Sequence, residues 1–216
     1  MTSEKKEEKI SKATIARMPL YLHFLQEENS KGTQYISSTV IAQSISVSSV
    51  LVRKDLALVS SEAGRPKLGF GVSRLIVDIE KFLGYDNISD AIVVGAGGLG
   101  RAFLGYEGFK NNGLNVVAAF DVDKSLVGSI VAGKPILHVE KLTDFVAEHN
   151  VQLGIVTVPK AAAQDVVNKL VEAGIRAIWN FAPTPLRVPI DIVIKTEDLA
   201  ASLAMLAGKL YKTGDR

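Results

Sequence analysis

The residues with the clearest chemistry are Gly95, Gly97 and Gly100, set in Ile92-Val93-Val94-Gly95-Ala96-Gly97-Gly98-Leu99-Gly100. An apolar, β-branched run that empties into G-x-G-x-x-G reads as a buried parallel strand, a tight turn and a helix N-terminus. Gly95 permits the turn, Gly97 lets the backbone approach a pyrophosphate, and Gly100 lets the helix pack close on the strand. Ala96, Gly98 and Leu99 complete the loop, and the helix N-terminus offers unpaired N–H groups to phosphate oxygens. The same glycines also suit a merely structural strand-to-helix turn, so context decides. The next apolar run, Asn115–Phe120, ends in Asp121, about twenty residues past the motif, where a ribose-binding carboxylate belongs. Together these predict a dinucleotide. Because a carboxylate accepts the ribose 2′-hydroxyl and repels a 2′-phosphate, Asp121 predicts NAD⁺ and NADH rather than their phosphorylated relatives.

The surrounding pattern supplies the elements that must hold these groups. Strands are expected at Ala91–Val94, Asn115–Phe120, Lys134–His138, Leu153–Val158, Ala177–Phe181 and Ile190–Ile194. Helices are expected at Arg101–Lys110, Lys141–His149, Ala161–Ala173 and Glu197–Tyr211. Such alternation predicts an α/β fold with a doubly wound parallel sheet. Ligands of that fold sit beyond the carboxyl ends of the strands. The glycine motif, Asp121, Thr157-Val158-Pro159 and Asn180-Phe181-Ala182-Pro183 all fall at that edge.

The first part of the chain reads differently. The charged stretch through Lys9 is expected to be mobile, and a helix follows over Ser11–Asn29. Two short helices come next, Thr39–Ser44 capped by Ser37 or Ser38 and Val47–Val59 capped by Ser46, which matches a helix-turn-helix. On a wheel of about 100° per residue, Val47, Val50, Leu51, Ala57 and Leu58 form one arc, expected to be buried. Ser48, Ser49, Val52, Arg53 and Leu56 form the opposite arc, and Lys54 lies near the first. Small hydroxyls with an arginine one turn on suit a major groove, as they suit any solvated helix face. The turn-rich Ser60–Gly71 carries Arg65 and Lys67 near its tip, where a wing would touch phosphate or minor groove. An amphipathic helix over Val72–Leu83 then leads to a boundary at Gly84. The expected domains are residues 1–84, a winged-helix DNA-binding unit, and 85–216, a dinucleotide-binding unit.

Composition narrows the field. Hydrophobic residues make up 47% and charged residues 22% of the 216, as in folded soluble proteins. Residues 1–83 hold 12 Lys and Arg against 9 Asp and Glu, and the remainder 13 against 14. The asymmetry is too mild to identify a nucleic-acid binder by itself. There is no cysteine, which removes disulfides, thiolate catalysis and cysteine-bound zinc. His23, His138 and His149 lack metal-ligand spacing, so no metal is expected. With no membrane-length apolar run and no apolar leader, a cytoplasmic location is expected.

At this point the chain resembles the Rex family of redox-sensing transcriptional repressors along nearly its whole length. The carrying stretches are Arg17-Met-Pro-Leu-Tyr21, Ile36-Ser-Ser38, Val52-Arg-Lys-Asp-Leu56, Gly95–Gly100 with Tyr106, and Phe120-Asp121. Later come Thr157-Val-Pro159, Ala173-Gly-Ile175 and Asn180-Phe-Ala-Pro183. The resemblance implies a winged helix-turn-helix domain, a Rossmann domain and a C-terminal helix exchanged between the subunits of a homodimer. It implies repression at palindromic operator DNA, bound by the apo or NAD⁺ form and released when NADH binds. By the same resemblance Arg53 and Lys54 form the recognition pair and Asp121 holds the adenosine ribose. Tyr106 and Asp198 would relay the nicotinamide state, and the face of Leu199, Leu203, Leu206 and Leu210 suits exchange. There are departures. Gly64-Arg-Pro-Lys-Leu-Gly-Phe70 replaces the family's wing pattern Gly-Lys-Arg-Gly-x-Gly-Tyr, and Tyr21-Leu22-His23 replaces Tyr-x-Arg. Leu199 stands where some members carry an aromatic residue.

Two rival classes make distinct demands. A dehydrogenase needs an acid or base near the nicotinamide and a substrate pocket; the ligand edge here offers Asn, Thr, Pro and Phe, so no enzyme activity is expected. A CoA-binding module would favour cations for the 3′-phosphate, where this chain places Asp121.

Overall fold

The Ser11 hydroxyl accepts a hydrogen bond from the Thr14 N–H at 3.0 Å and so caps the first helix, α1 (Lys12–Ser30). The computed structural model describes residues 10–85 and 89–213; the stretch through Lys9 lies outside them. After α1 come β1 (Tyr35–Ile36), α2 (Ser38–Ser44), α3 (Ser49–Val59), β2 (Phe70–Gly71) and α4 (Val72–Leu83). Tyr35 pairs with Gly71 and Ile36 with Phe70, antiparallel, while Arg65 bridges Gly69 to close the tip of a small wing. Met18, Tyr21, Leu25, Ile41, Leu56, Leu75 and Ile79 form the core of this unit. Ser37 caps α2, but Ser48 rather than Ser46 caps α3, through its hydroxyl and the Leu51 N–H at 3.2 Å. Ser46 lies in the preceding turn at φ 58°, and a capping residue needs extended backbone.

The wheel reading holds for Ser48 and Arg53, which are exposed, and for Val47, which packs on the core, but the centre of the buried face lies elsewhere. Val52 and Leu56 are fully buried, whereas Val50 is 52% and Leu58 42% exposed. Apolar side chains lie on both arcs, so hydropathy alone does not choose between them. Asp55 chooses. It lies beside Val52 on the wheel, on the side away from Leu56, and is drawn inside by hydrogen bonds from α1. Arg53 and Lys54 are both exposed, although Lys54 lies near the arc expected to be buried.

Contacts divide the chain into two units, Met1–Asn87 and Ile88–Arg216. The second unit comprises β3 (Ser89–Val94), α5 (Gly98–Gly105), β4 (Leu114–Asp121), β5 (Ile130–Val131), β6 (Lys134–His138), α6 (Leu142–His149), β7 (Leu153–Val156), α7 (Lys160–Glu172), β8 (Ala177–Asn180), β9 (Val193–Thr196) and α8 (Leu199–Thr213). The sheet runs β5-β6-β4-β3-β7-β8-β9, parallel throughout except for the edge pair β5–β6. Leaving β5 aside, this is the doubly wound order 3-2-1-4-5-6 of a Rossmann fold, with the order reversing between β3 and β7. Strand alternation feeds two cores. Ile92 and Val94 meet α6 and α7 through Leu142, Val146, Val167 and Leu170, while Ala91 and Val93 face Leu104 of α5.

Several elements depart from expectation, and β7 ends at Val156 rather than Val158. Helix α5 stops at Gly105, and residues Glu107–Asn112 form a 3-10 turn instead of continuing it. Gly105 and Gly108 weaken a helix at that point. The last strand starts at Val193, because the Ile192 N–H turns back onto the Pro189 carbonyl at 3.1 Å. The final helix starts at Leu199 rather than Glu197, with Asp198 accepting from the Ala201 N–H at 2.8 Å.

Candidate functional site

Strand β3 ends beside Phe120 of β4 and Val156 of β7, so Gly95, Asp121 and Thr157 meet at the reversal point of the sheet. Gly95 adopts φ +102°, the left-handed region that favours glycine, and a Cβ there would lie 2.9 Å from the Thr157 carbonyl carbon. Gly100 is packed harder still, for its Cβ would fall 1.9 Å from the Gly95 oxygen. The Thr157 hydroxyl donates to that same oxygen at 2.7 Å and pins the loop to β7. Gly97 differs from both. It caps α5 with ordinary backbone angles, and nothing lies within 4 Å of where its Cβ would stand. Open space at that glycine, over the first N–H groups of a helix, is a cradle for a phosphate.

Asp121 stands beside the glycine loop. One carboxylate oxygen accepts from the Ala96 N–H at 2.6 Å and the other from the Asp123 N–H at 2.9 Å. Each oxygen keeps a second lone pair for a sugar hydroxyl. The cleft, about 530 Å³, is lined by Gly95, Gly97, Asp121, Thr157, Val158, Pro159 and Phe181 among the predicted residues. Val94, Phe120, Val122, Val139, Ala162, Val166 and Pro183 complete it. Phe120 and Pro183 belong to the stretches quoted above for that edge, and Val122 directly follows Asp121. Ala96 is fully buried, Gly98 and Leu99 are exposed at the helix start, and Gly100 lies beneath the loop. The residues fit a dinucleotide: a phosphate cradle, a ribose acceptor and apolar walls for the rings.

Asn180, Tyr106 and Asp198 stand apart from that cleft. The Asn180 amide is fully buried, donating to the carbonyls of Ala182 and Thr184 at 3.2 Å and accepting from the Ala182 N–H at 2.9 Å. It shapes the loop that carries Phe181. Tyr106 is 57% exposed, its ring edge-on to Phe109 at 4.8 Å. Asp198 caps α8, and among the described residues no hydrogen bond joins it to Tyr106. Trp179, stacked on Phe103, donates its indole N–H to Glu197 at 3.2 Å.

The N-terminal unit presents a second concave surface. A groove of about 730 Å³ lies between α3 and the wing, with Arg53, Arg65 and Lys67 along it and Ser37 and Ser38 at its edge. The Arg65 guanidinium sits 5.2 Å over the Tyr35 ring and donates to the Tyr35 hydroxyl at 2.9 Å. That contact fixes the wing cation without neutralising it. Ser48 and Ser49 lie at the start of α3, while Lys54 flanks the other side of the helix, next to Arg17 and Leu58.

Helix α3 is held in place by one buried carboxylate. Asp55, 2% exposed, accepts from Arg17 Nε at 2.6 Å, Arg17 Nη2 at 2.9 Å, the Tyr21 hydroxyl at 2.7 Å and the Thr14 hydroxyl at 3.2 Å. Burial alone would raise the Asp55 carboxyl, but the hydrogen bonds from Arg17 and Tyr21, with the charge of Arg17, hold it below the ordinary range. Burial, followed by the bond to Asp55, pushes the Tyr21 hydroxyl up to about 12.

Comparison with known proteins covers both units. The family described as "CoA binding domain" matches residues 86–184, and the one described as "Putative DNA-binding protein N-terminus" matches residues 9–57. The chain is 42% identical to the redox-sensing transcriptional repressor Rex of Treponema denticola over 193 residues, covering 89% of this chain and 91% of that protein. It is 41% identical to the repressor Rex of Carboxydothermus hydrogenoformans, covering 92% of this chain and 95% of that protein. Among solved structures, it resembles RSP in complex with NAD⁺ and operator DNA, with a TM-score of 0.90, 33% identity and coverage of 96% and 95%. It also resembles RSP in complex with NADH, with a TM-score of 0.85, 32% identity and coverage of 96% and 97%.

Proposed function

The chain belongs to the Rex family of redox-sensing transcriptional repressors, and from that premise we propose that it represses transcription in response to the NADH/NAD⁺ ratio. Its winged helix binds operator DNA in the apo or NAD⁺-bound form and releases it when NADH occupies the cleft. The observation that carries this reading is the open cradle at Gly97 with Asp121 beside it, in a chain that also presents the Arg53–Arg65–Lys67 groove. Asp121 favours a dinucleotide over CoA, whose 3′-phosphate it would repel. Binding is not followed by turnover. Asp121 is the one titratable side chain among the described residues lining the cleft, and both its oxygens already hold backbone N–H groups. A regulator of this kind acts where the DNA is, in the cytoplasm; among the described residues no helix is long and apolar enough to cross a membrane.

Helix α8 supplies the dimer contact. Leu199, Leu203 and Leu206 share one face and are 62–68% exposed in the single chain, an arrangement that invites a second copy. Tyr106 and Asp198 take part in reading the nicotinamide across that dimer, Asp198 by giving up its cap on α8 or keeping it. NAD⁺ and NADH differ at the ring by a hydride and one charge, so the switch requires unequal affinity of the two cofactors for the two states.

Two substitutions test the division of labour in one experiment. Arg53→Ala is expected to weaken operator binding roughly 5–150-fold, about 1–3 kcal/mol for a lost bidentate base contact, with NADH binding unchanged. Asp121→Ala is expected to do the converse, lowering NADH affinity and narrowing the preference over NADPH while apo operator binding persists. Equal affinity of the unmutated protein for NADH and NADPH would remove Asp121 from this role. An Arg53→Ala protein with undiminished operator binding would show that α3 is not the reader.

A further inference from the structure

We propose that Val50 reads the methyl group of a thymine in the operator, and so helps set which sequence this repressor selects. The inference rests on the DNA-binding reading above and adds to it a specificity-determining residue. Helix α3 has two faces. Val52, Asp55 and Leu56 point into the core, and Val50, Arg53, Lys54 and Ala57 repeat at i, i+3, i+4 and i+7 on the outward side. Val50 is 52% exposed and belongs to none of the apolar cores among the described residues. It lies two residues past the cap Ser48, in the first turn, which is where recognition helices meet base edges.

A single exposed valine is ordinary on a solvated surface. This one is set between two cations on the face that the groove and wing leave open. Arg53 lies toward the wing and Lys54 on the opposite flank. The one carboxylate of α3, Asp55, is 2% exposed and turned inside, so the outward face carries positive charge and an apolar branch with no acid among them. That combination fits a polyanion that also displays apolar groups. In the major groove the C5-methyl of thymine is the one apolar group that projects toward a side chain; apart from the flat C5–H of cytosine, the other edge positions are donors or acceptors that valine would leave unpaired. Leu58 is a weaker candidate because it sits in the last turn, beside Ile10 and Lys54 and away from the wing.

Duplexes selected from a random-sequence library by the unmutated protein in NAD⁺ serve as the probe. Each thymine of the selected site is then replaced in turn by deoxyuridine, which removes the methyl and nothing else. The expected result is an about fourfold loss of affinity at one thymine position in each half-site, the value of one buried methyl group. Val50→Ala withdraws two methyl groups from an exposed position, and the uracil penalty at that position should vanish. Val50→Thr keeps one methyl and should restore part of it. The proposal is overturned if the selected half-sites contain no thymine, if no position is sensitive to uracil, or if Val50→Ala keeps the full penalty. Failure of the broader reading looks different: the selection then returns no duplex at all, and both fall together.

Discussion

Gly97→Ala is expected to leave the fold at its normal stability and abolish tight NADH binding, whereas Gly100→Ala undermines the fold itself. The two glycines stand three residues apart in one loop, yet their surroundings are opposite. At Gly97, φ is −68° and nothing lies within 4 Å of the missing Cβ. Alanine fits there without strain and even trims the freedom of the unfolded chain, worth about 0.4–1 kcal/mol in favour of folding. Its methyl group, however, fills the space through which a pyrophosphate reaches the helix N-terminus. Losing two charge-assisted phosphate contacts at about 1.5 kcal/mol each lowers affinity about 100-fold. At Gly100 the methyl would sit 1.9 Å from the Gly95 oxygen, so the backbone itself must move. Overpacking of that kind costs about 3 kcal/mol, and the melting temperature of the second unit should fall by about 10 °C. Calorimetry and NADH titration of both variants check the pair. A Gly97→Ala protein that binds NADH within a fewfold of the unmutated affinity would move the phosphate site elsewhere.

Asp55→Ala should abolish operator binding and leave NADH binding intact, although Asp55 touches neither ligand. It removes the acceptor of Arg17, Tyr21 and Thr14 together and leaves the guanidinium, on a side chain only 19% exposed, without its partner. Breaking a buried pair in this way costs about 3–5 kcal/mol, a large share of what a small domain has. The effect is confined to the N-terminal unit because the second unit has its own cores. The same network gives stability a pH signature at both ends. The Tyr21 proton leaves the unfolded chain near pH 10 but leaves the folded unit only near pH 12. Its contribution is therefore complete below about pH 10 and lost as pH rises toward 12. Asp55 works in the other direction: its depressed carboxyl stabilises above about pH 4 and loses that contribution as acid protonates it in the fold. Denaturant unfolding at pH 9 and pH 11 checks the alkaline limb against Tyr21→Phe. If the variant loses as much stability over that interval as the unmutated chain, Tyr21 is not the titrating group.

Much of the second unit was legible because its signals are local. The β-branched run before Gly95, the carboxylate at the end of the following strand and the alternation of strands with helices each lie within a few tens of residues. They name the cleft and the doubly wound sheet without knowledge of any distant contact. The face of α3 was not legible for the opposite reason. Arg17 and Tyr21 reach Asp55 across 38 and 34 residues, and a wheel drawn on hydropathy gives a carboxylate no cause to turn inward. Asn180 illustrates a related gap. Its position beside the cleft follows from the strand pattern, but its amide is consumed by Ala182 and Thr184 in the loop that follows and by Thr196 on the neighbouring strand β9. The two-residue strands Tyr35–Ile36 and Phe70–Gly71 are too short to carry any period, and they form because the wing folds back on them.

The most direct test of redox-controlled repression is operator affinity measured twice at one salt concentration, with saturating NAD⁺ and with saturating NADH. Fixed salt matters because phosphate contacts make any such affinity ionic-strength dependent. Coupling of about 1–3 kcal/mol between sites predicts that NADH weakens operator binding roughly 5–150-fold relative to NAD⁺. Equal affinity in the two cofactors, or tighter binding with NADH, would contradict the account.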